Sequence, residues 1–280
     1  GFLLELRGLR GGHSGVDIHE ARGNAIKLLV RLLCSLAERW PLRLASLVGG
    51  TARNALPREA SAQIAVPAGL LSVLNDALEE AQAAYRKELG EADQGLQLLI
   101  SPCRINQLMA EAEQAIWLAS LNAAPHGVRQ MSRALPDVVE TSNNLGMVDV
   151  QVGHGACNFM VRSLQDSGSL TLGQEIVSLF SLSGTQAVCG GHYPGWTPNP
   201  GSPLLALCQS VFQRDFAGQS KVQVIHAGLE CGIIGAKYPA MDIVSFGPTI
   251  HGAHAPGERV EVASVERCWR LLKAILAEIH

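Results

Sequence analysis

The 280-residue chain is 47% hydrophobic and 17% charged, enough apolar material for a core and too little charge for a disordered chain. Lys and Arg total 22 against 25 Asp and Glu, a net charge of −3 with no long basic run, which argues against a nucleic-acid partner. No stretch reaches the roughly 18 uninterrupted apolar residues of a membrane span, and seven scattered cysteines without a Cys-x-x-Cys read as thiols of a reducing, cytoplasmic setting.

The alternation in Phe2-Leu3-Leu4-Glu5-Leu6-Arg7 predicts a half-buried strand with no signal-peptide pattern. It runs into a glycine-rich turn, Gly11-Gly12-His13-Ser14-Gly15. A long helix is expected from Ile18 to Trp40, because Ala21, Ala25, Leu28, Leu29, Leu32 and Leu36 recur at helical spacing and Pro41 stops it. Strands beginning near Leu42 and over Ser61–Val66 follow, joined by Gly49-Gly50-Thr51-Ala52-Arg53-Asn54-Ala55-Leu56-Pro57. A second helix is expected from Leu70 to Leu89, with Gly90 as its stop. That order predicts an α+β unit, an antiparallel sheet with helices on one face.

A weaker echo comes next: a helix over Gln107–Leu121, a connecting segment Val138–Gly146, a strand over Cys157–Leu164 and a helix ending near Gly184. Thr51/Asn54 and Thr141/Asn144 then both fall between strands, so the unit reads as duplicated. The Gly/Pro-rich run from Gly190 to Pro200 reads as a boundary between a first domain, 1–190, and a second, 191–280. Beyond it the pattern is helix (Pro203–Asp215), strand (Val222–His226), short helix (Leu229–Gly235), strand (Met241–Phe246), loop, and helix (Ser264–Ile279). Apolar strands alternating with helices predict part of a buried α/β sheet.

Several residues stand out chemically. His251 and His254 sit in the glycine-rich loop after the second of these strands, where open α/β sheets bind ligands; an imidazole there either coordinates a metal or bonds to backbone. His13, flanked by glycines, can meet a substrate closely and donate to a developing oxyanion, or it belongs to a turn in which Ser14 caps the next helix. Arg162 shares a strand face with Met160 and Leu164 and needs an anion, either a substrate carboxylate or an internal Asp or Glu. Glu230 follows a strand's carboxyl end and is a site carboxylate or a first-turn helix residue.

Taken together, Gly11–Gly15, Gly50–Ala60, Glu140-Thr141-Ser142, Arg162-Ser163-Leu164, Tyr193-Pro194-Gly195-Trp196, His226–Gly232 and Gly247-Pro248-Thr249 leading to His254 resemble the dinuclear-zinc peptidase family that contains carnosinase and carboxypeptidase G. The resemblance runs from Gly1 to Ile279. It implies an α+β lid carrying the homodimer contact over 1–190, followed by the C-terminal part of an α/β zinc-peptidase catalytic domain over 191–280. It also implies metal-dependent hydrolysis of dipeptides, Xaa-His or broad, by water activated between two zinc ions. His254 would be a metal ligand, His13 the lid histidine serving the oxyanion, and Arg162, Glu230 and Asn54 substrate-binding residues. The family's remaining metal ligands and general base have no counterpart here, so the chain is expected to be a C-terminal portion of such an enzyme and inactive by itself. A dimerisation or binding module derived from the lid, and a related amidohydrolase or deacylase, are the alternatives.

Overall fold

The computed structural model describes residues 1–280 except 134, 192–193, 197–198, 200, 217–221, 223–229, 253–256 and 280. Its elements begin with β1 (Phe2–Arg7), the two-residue β2 (Gly12–His13), α1 (Ala25–Arg39), β3 (Arg43–Gly49), β4 (Ala55–Leu56) and β5 (Ala60–Ala65). Then come α2 (Leu71–Leu89), β6 (Gln97–Pro102), α3 (Glu111–Ala123), β7 (Gly127–Met131), β8 (Val139–Gln151), β9 (His154–Ser163) and α4 (Asp166–Leu182). The last part holds α5 (Pro203–Asp215), α6 (Glu230–Lys237), β10 (Ile250–His251), β11 (Arg259–Val260) and α7 (Val262–Leu276).

Seven antiparallel strands form the main sheet, in the order β6-β1-β5-β3-β8-β7 with β9 on the other edge of β8. Leu4 and Leu6 on β1 stand opposite Ala62 and Ala60 on β5, and all four are buried. That alternation is what a sheet with one covered face requires. Leu29, Leu33, Leu74, Leu121 and Phe180 bring α1, α2, α3 and α4 into the same core. Gln114 on α3 fixes the layers by donating to the Leu42 carbonyl and accepting from the Leu44 N–H, at 3.0 and 2.7 Å.

The first helix starts later than its apolar spacing predicts. Only Ile18–Glu20 forms a 3-10 turn, Ala21 is left-handed (φ 52°), and α1 begins after Asn24. The Asn24 side chain accepts from the Ile26 and Lys27 N–H groups and donates to the Leu145 carbonyl. Capping decides the start, because a helix entered without it leaves buried N–H groups unpaired. Asn24→Ala is therefore expected to cost about 2 kcal/mol, more than an ordinary cap, since it strips two roles from one buried side chain. The urea midpoint measures it.

The duplication is not borne out. The second part is a three-stranded antiparallel run, β7-β8-β9, between α3 and α4, without the split order of β1, β5 and β3. Val138–Gly146, expected to connect strands, lies from Val139 onward inside the 13-residue β8. Asn and Ser are poor strand formers, which hid a strand whose Thr141, Ser142, Asn143 and Asn144 are all buried. In the last part α5, α6 and α7 match expectation. Met241–Phe246 does not: it has no ladder, and Met241 and Phe246 are 52% and 41% exposed, because no described strand runs beside it. The strand expected at Val222–His226 lies, apart from Val222, outside the described residues. All seven cysteines are unpaired thiols, and no described helix is long and apolar enough to cross a membrane.

Candidate functional site

The glycine-rich loop before α1 is held by a polar network. Gly11 and Gly12 both take positive φ, and a Cβ on Gly12 would stand 2.5 Å from Asp17 Oδ2. That oxygen accepts the His13 backbone N–H at 2.7 Å. Arg22, nearly buried, pairs with Asp17 and Glu20 at 2.9 and 2.7 Å and donates to the Gly11 carbonyl. The Arg22 guanidinium holds the Glu20 carboxyl below its ordinary range. His13 Nδ1 accepts from the Gly15 and Val16 N–H groups at 3.2 and 3.1 Å. An acceptor nitrogen carries no proton, so the neutral ring bears its hydrogen on Nε2. Ser14 caps nothing; its Oγ is buried without a partner, while its N–H donates to the Asn54 carbonyl at 2.8 Å.

That last bond joins the His13 loop to the loop carrying Asn54, and β2 pairs with β4 across it, His13 opposite Ala55. Asn54 thus contributes its backbone to the arrangement. The Asn54 loop is gripped from β8, where Asn144 donates to the Arg53 and Ala55 carbonyls at 2.9 and 2.8 Å. Ser142 stands opposite Arg162 and Asn144 opposite Met160 on β9. Paired residues share a sheet face, so Arg162 projects from the face on which Asn144 holds the Arg53 loop. Phe159 and Ser163, on the alternate face, contact the helical layer at Phe180 and Gly168.

Arg162 is half-buried and its Nε has no hydrogen-bond partner. Desolvation, and then the nearby Arg53 charge, hold its guanidinium below the ordinary value. Arg53 and Arg162 line one wide cleft together with Gly15, Trp196, Cys231 and Gly247. The structure therefore brings together Arg162, the Arg53–Asn54 loop, the edge of the His13 loop and the 245–249 strip. Glu230 is not among them: it is exposed at the start of α6, where its neighbours Cys231 and Gly232 form the wall. His251 is exposed on β10. His254 lies outside the described residues, and among those described no three His, Cys, Asp or Glu side chains come together to hold a metal ion.

Reading the sequence missed Arg53 and Asn144. The signal available was an Asn pair, Asn143-Asn144, flanked by a long run of strand formers; a buried amide in a central strand implies something polar to hold.

Residues 4–94 match the peptidase dimerisation domain family. Over 280 residues, 99% of this chain, the sequence is 43% identical to the cytosol non-specific dipeptidase of Escherichia coli strain K12, and it covers 58% of that protein. The crystal structure of aminoacylhistidine dipeptidase from Vibrio alginolyticus matches all of this chain with a TM-score of 0.86 at 38% identity, and 57% of that chain is covered. The chain thus spans less than two thirds of the length of these relatives.

Proposed function

We propose that this chain, 43% identical over 99% of its length to a cytosol non-specific dipeptidase and matched in full by an aminoacylhistidine dipeptidase structure, serves the hydrolysis of dipeptides, Xaa-His or broadly, in the cytoplasm. The observation that carries this reading is Arg162, a half-buried cation on a cleft wall with no carboxylate paired to it among the described residues. A guanidinium in that position suits a substrate's terminal carboxylate, which it can hold through two parallel hydrogen bonds. His13 offers an Nε2–H to the oxygen that becomes negative as water adds to the peptide carbonyl. The C–N bond then breaks and the amine leaves with a proton. Asn54 serves substrate through the loop it shares with Arg53, and Glu230 lies at the margin.

The reading assigns the supply of activated water to zinc, two ions per site, with His254 as one ligand. The described residues do not assemble such a centre, so no step is derived through it. The match of residues 4–94 to a peptidase dimerisation domain supports a homodimer; the reading further has His13 reach the partner subunit's cleft, and takes 1–190 as lid and 191–280 as catalytic segment.

The test supplies zinc to the 280-residue protein, alone and joined to polypeptide matching the rest of its relatives' length, and follows amino-acid release from Ala-His and from an N-acetyl amino acid. The expected result is hydrolysis of Ala-His in the joined form, none above blank for the chain alone, and loss of activity on chelation. Preference for the N-acetyl substrate would mean a deacylase. No hydrolysis in either form would leave a dimerisation or binding module.

A further inference from the structure

A second cation stands beside the one assigned to substrate. Arg53 is exposed on the cleft wall shared with Arg162, and its side chain makes no ion pair or hydrogen bond among the described residues. Its backbone, by contrast, is tightly fixed. Asn144 holds the carbonyl, and a Cβ added to Gly146 would stand 2.7 Å from the Arg53 Cα and 2.8 Å from its carbonyl oxygen. Gly50, at φ +73°, crosses so close to the Gly146 carbonyl that a side chain there would overlap it. These approaches press the 50–55 loop onto the sheet face from which Arg162 projects.

Two guanidiniums in one cleft repel each other, and half-burial of one strengthens the repulsion. Internal carboxylates normally relieve such a pair. Asp166, on the same cleft wall, accepts from the Gly195 N–H instead, and neither arginine is paired with an acid among the described residues. An incoming anion removes the repulsion and satisfies the orphaned Arg162 Nε at once.

Resting on the dipeptidase reading above, we propose that Arg53 is a second substrate-positioning residue, its guanidinium closing with that of Arg162 on one carboxylate, the free C-terminal carboxylate of a dipeptide. The pair then makes the site selective for free acids over amides and longer peptides, whose corresponding group is neutral or displaced.

The experiment measures binding of Ala-His and of its C-terminal amide by calorimetry to the 280-residue protein joined to polypeptide matching the rest of its relatives' length, for the unsubstituted protein and for Arg53→Ala and Arg53→Lys. The free acid is expected to bind more tightly than the amide. Arg53→Ala should weaken the acid by about 10-fold and change the amide by less than about 2-fold, with Arg53→Lys between. Because Arg53 is exposed, the melting temperature should hold, which separates this effect from a folding defect. Equal losses for acid and amide, or no loss, overturn the proposal while leaving Arg162 and the dipeptidase reading intact. No binding of either ligand by the unsubstituted joined protein overturns both.

Discussion

Replacing His13 with alanine is expected to lower kcat for dipeptide hydrolysis by about 10²–10³, the usual consequence of losing one donor to a developing oxyanion. KM should move far less, because a donor aimed at charge that forms during reaction contributes little to ground-state binding. The expectation rests on the ring's tautomer. Two backbone N–H groups, from Gly15 and Val16, donate to Nδ1 and leave the proton on Nε2. The loop should survive the substitution, since the His13 N–H still reaches Asp17 and the Ser14 N–H still reaches Asn54. Val16, about half-exposed, finds water for its released N–H, whereas the buried Gly15 N–H loses its acceptor, so a modest fall in melting temperature accompanies the substitution. Steady-state kinetics of the joined form with Ala-His, alongside a melting curve, decides the matter. An unchanged kcat would remove His13 from the chemistry, and a collapse in stability would make it structural.

Acid should destabilise the fold through a single imidazole. His126 Nδ1 faces the Asn24 side-chain amide at 3.2 Å, and burial together with the Lys27 ammonium pushes its pKa down from 6.5 to about 4. Lys27 is itself held in place, donating to the Leu121, Asn122 and Ala124 carbonyls at the end of α3, and burial pushes its own pKa down to about 8. Above pH 6.5 His126 is neutral in both folded and unfolded chains and its contribution is constant. Between pH 6.5 and about 4 the unfolded chain takes up a proton that the folded one refuses, so the His126 contribution to stability falls with pH through that window and is constant below it. The 2.5-unit interval corresponds to about 3 kcal/mol. Urea midpoints at pH 7, 6, 5 and 4.5 should show this slope, and His126→Leu should flatten it. A variant with the parent's slope would place the acid sensitivity elsewhere.

The sheet-and-helix plan was legible because apolar spacing is a strong local signal. β1, β5, α2 and α5 lie close to where their periodicity put them. The failures were where local pattern lost to tertiary demand. The α1 start moved to Asn24 because that residue serves Leu145, more than a hundred residues away. β8 was unreadable because its buried polar side chains are matched by distant partners, Asn143 by the Pro125 carbonyl and Asn144 by the 53–55 loop. Met241–Phe246 reads as a buried strand, yet it pairs with nothing described, and strand character needs a neighbour.

The candidate site divides the same way. His13 stood out by its flanking glycines and Arg162 by its place in an apolar strand, while Asn54 entered only with the family resemblance. Arg53 was not visible, for a surface arginine in a turn is commonplace until it is seen to share a cleft wall with Arg162. What composition and spacing determined alone was the chemistry on offer, an imidazole, a guanidinium and turns that let a ligand approach. Which of these share a cleft was decided only in three dimensions, by the antiparallel register that sets Ser142 against Arg162 and by the Asn144 amide that draws a loop from ninety residues earlier onto the same face. Side-chain identity is a local property, whereas proximity between distant segments follows from strand pairing, and that pairing minimises the free energy of the whole chain.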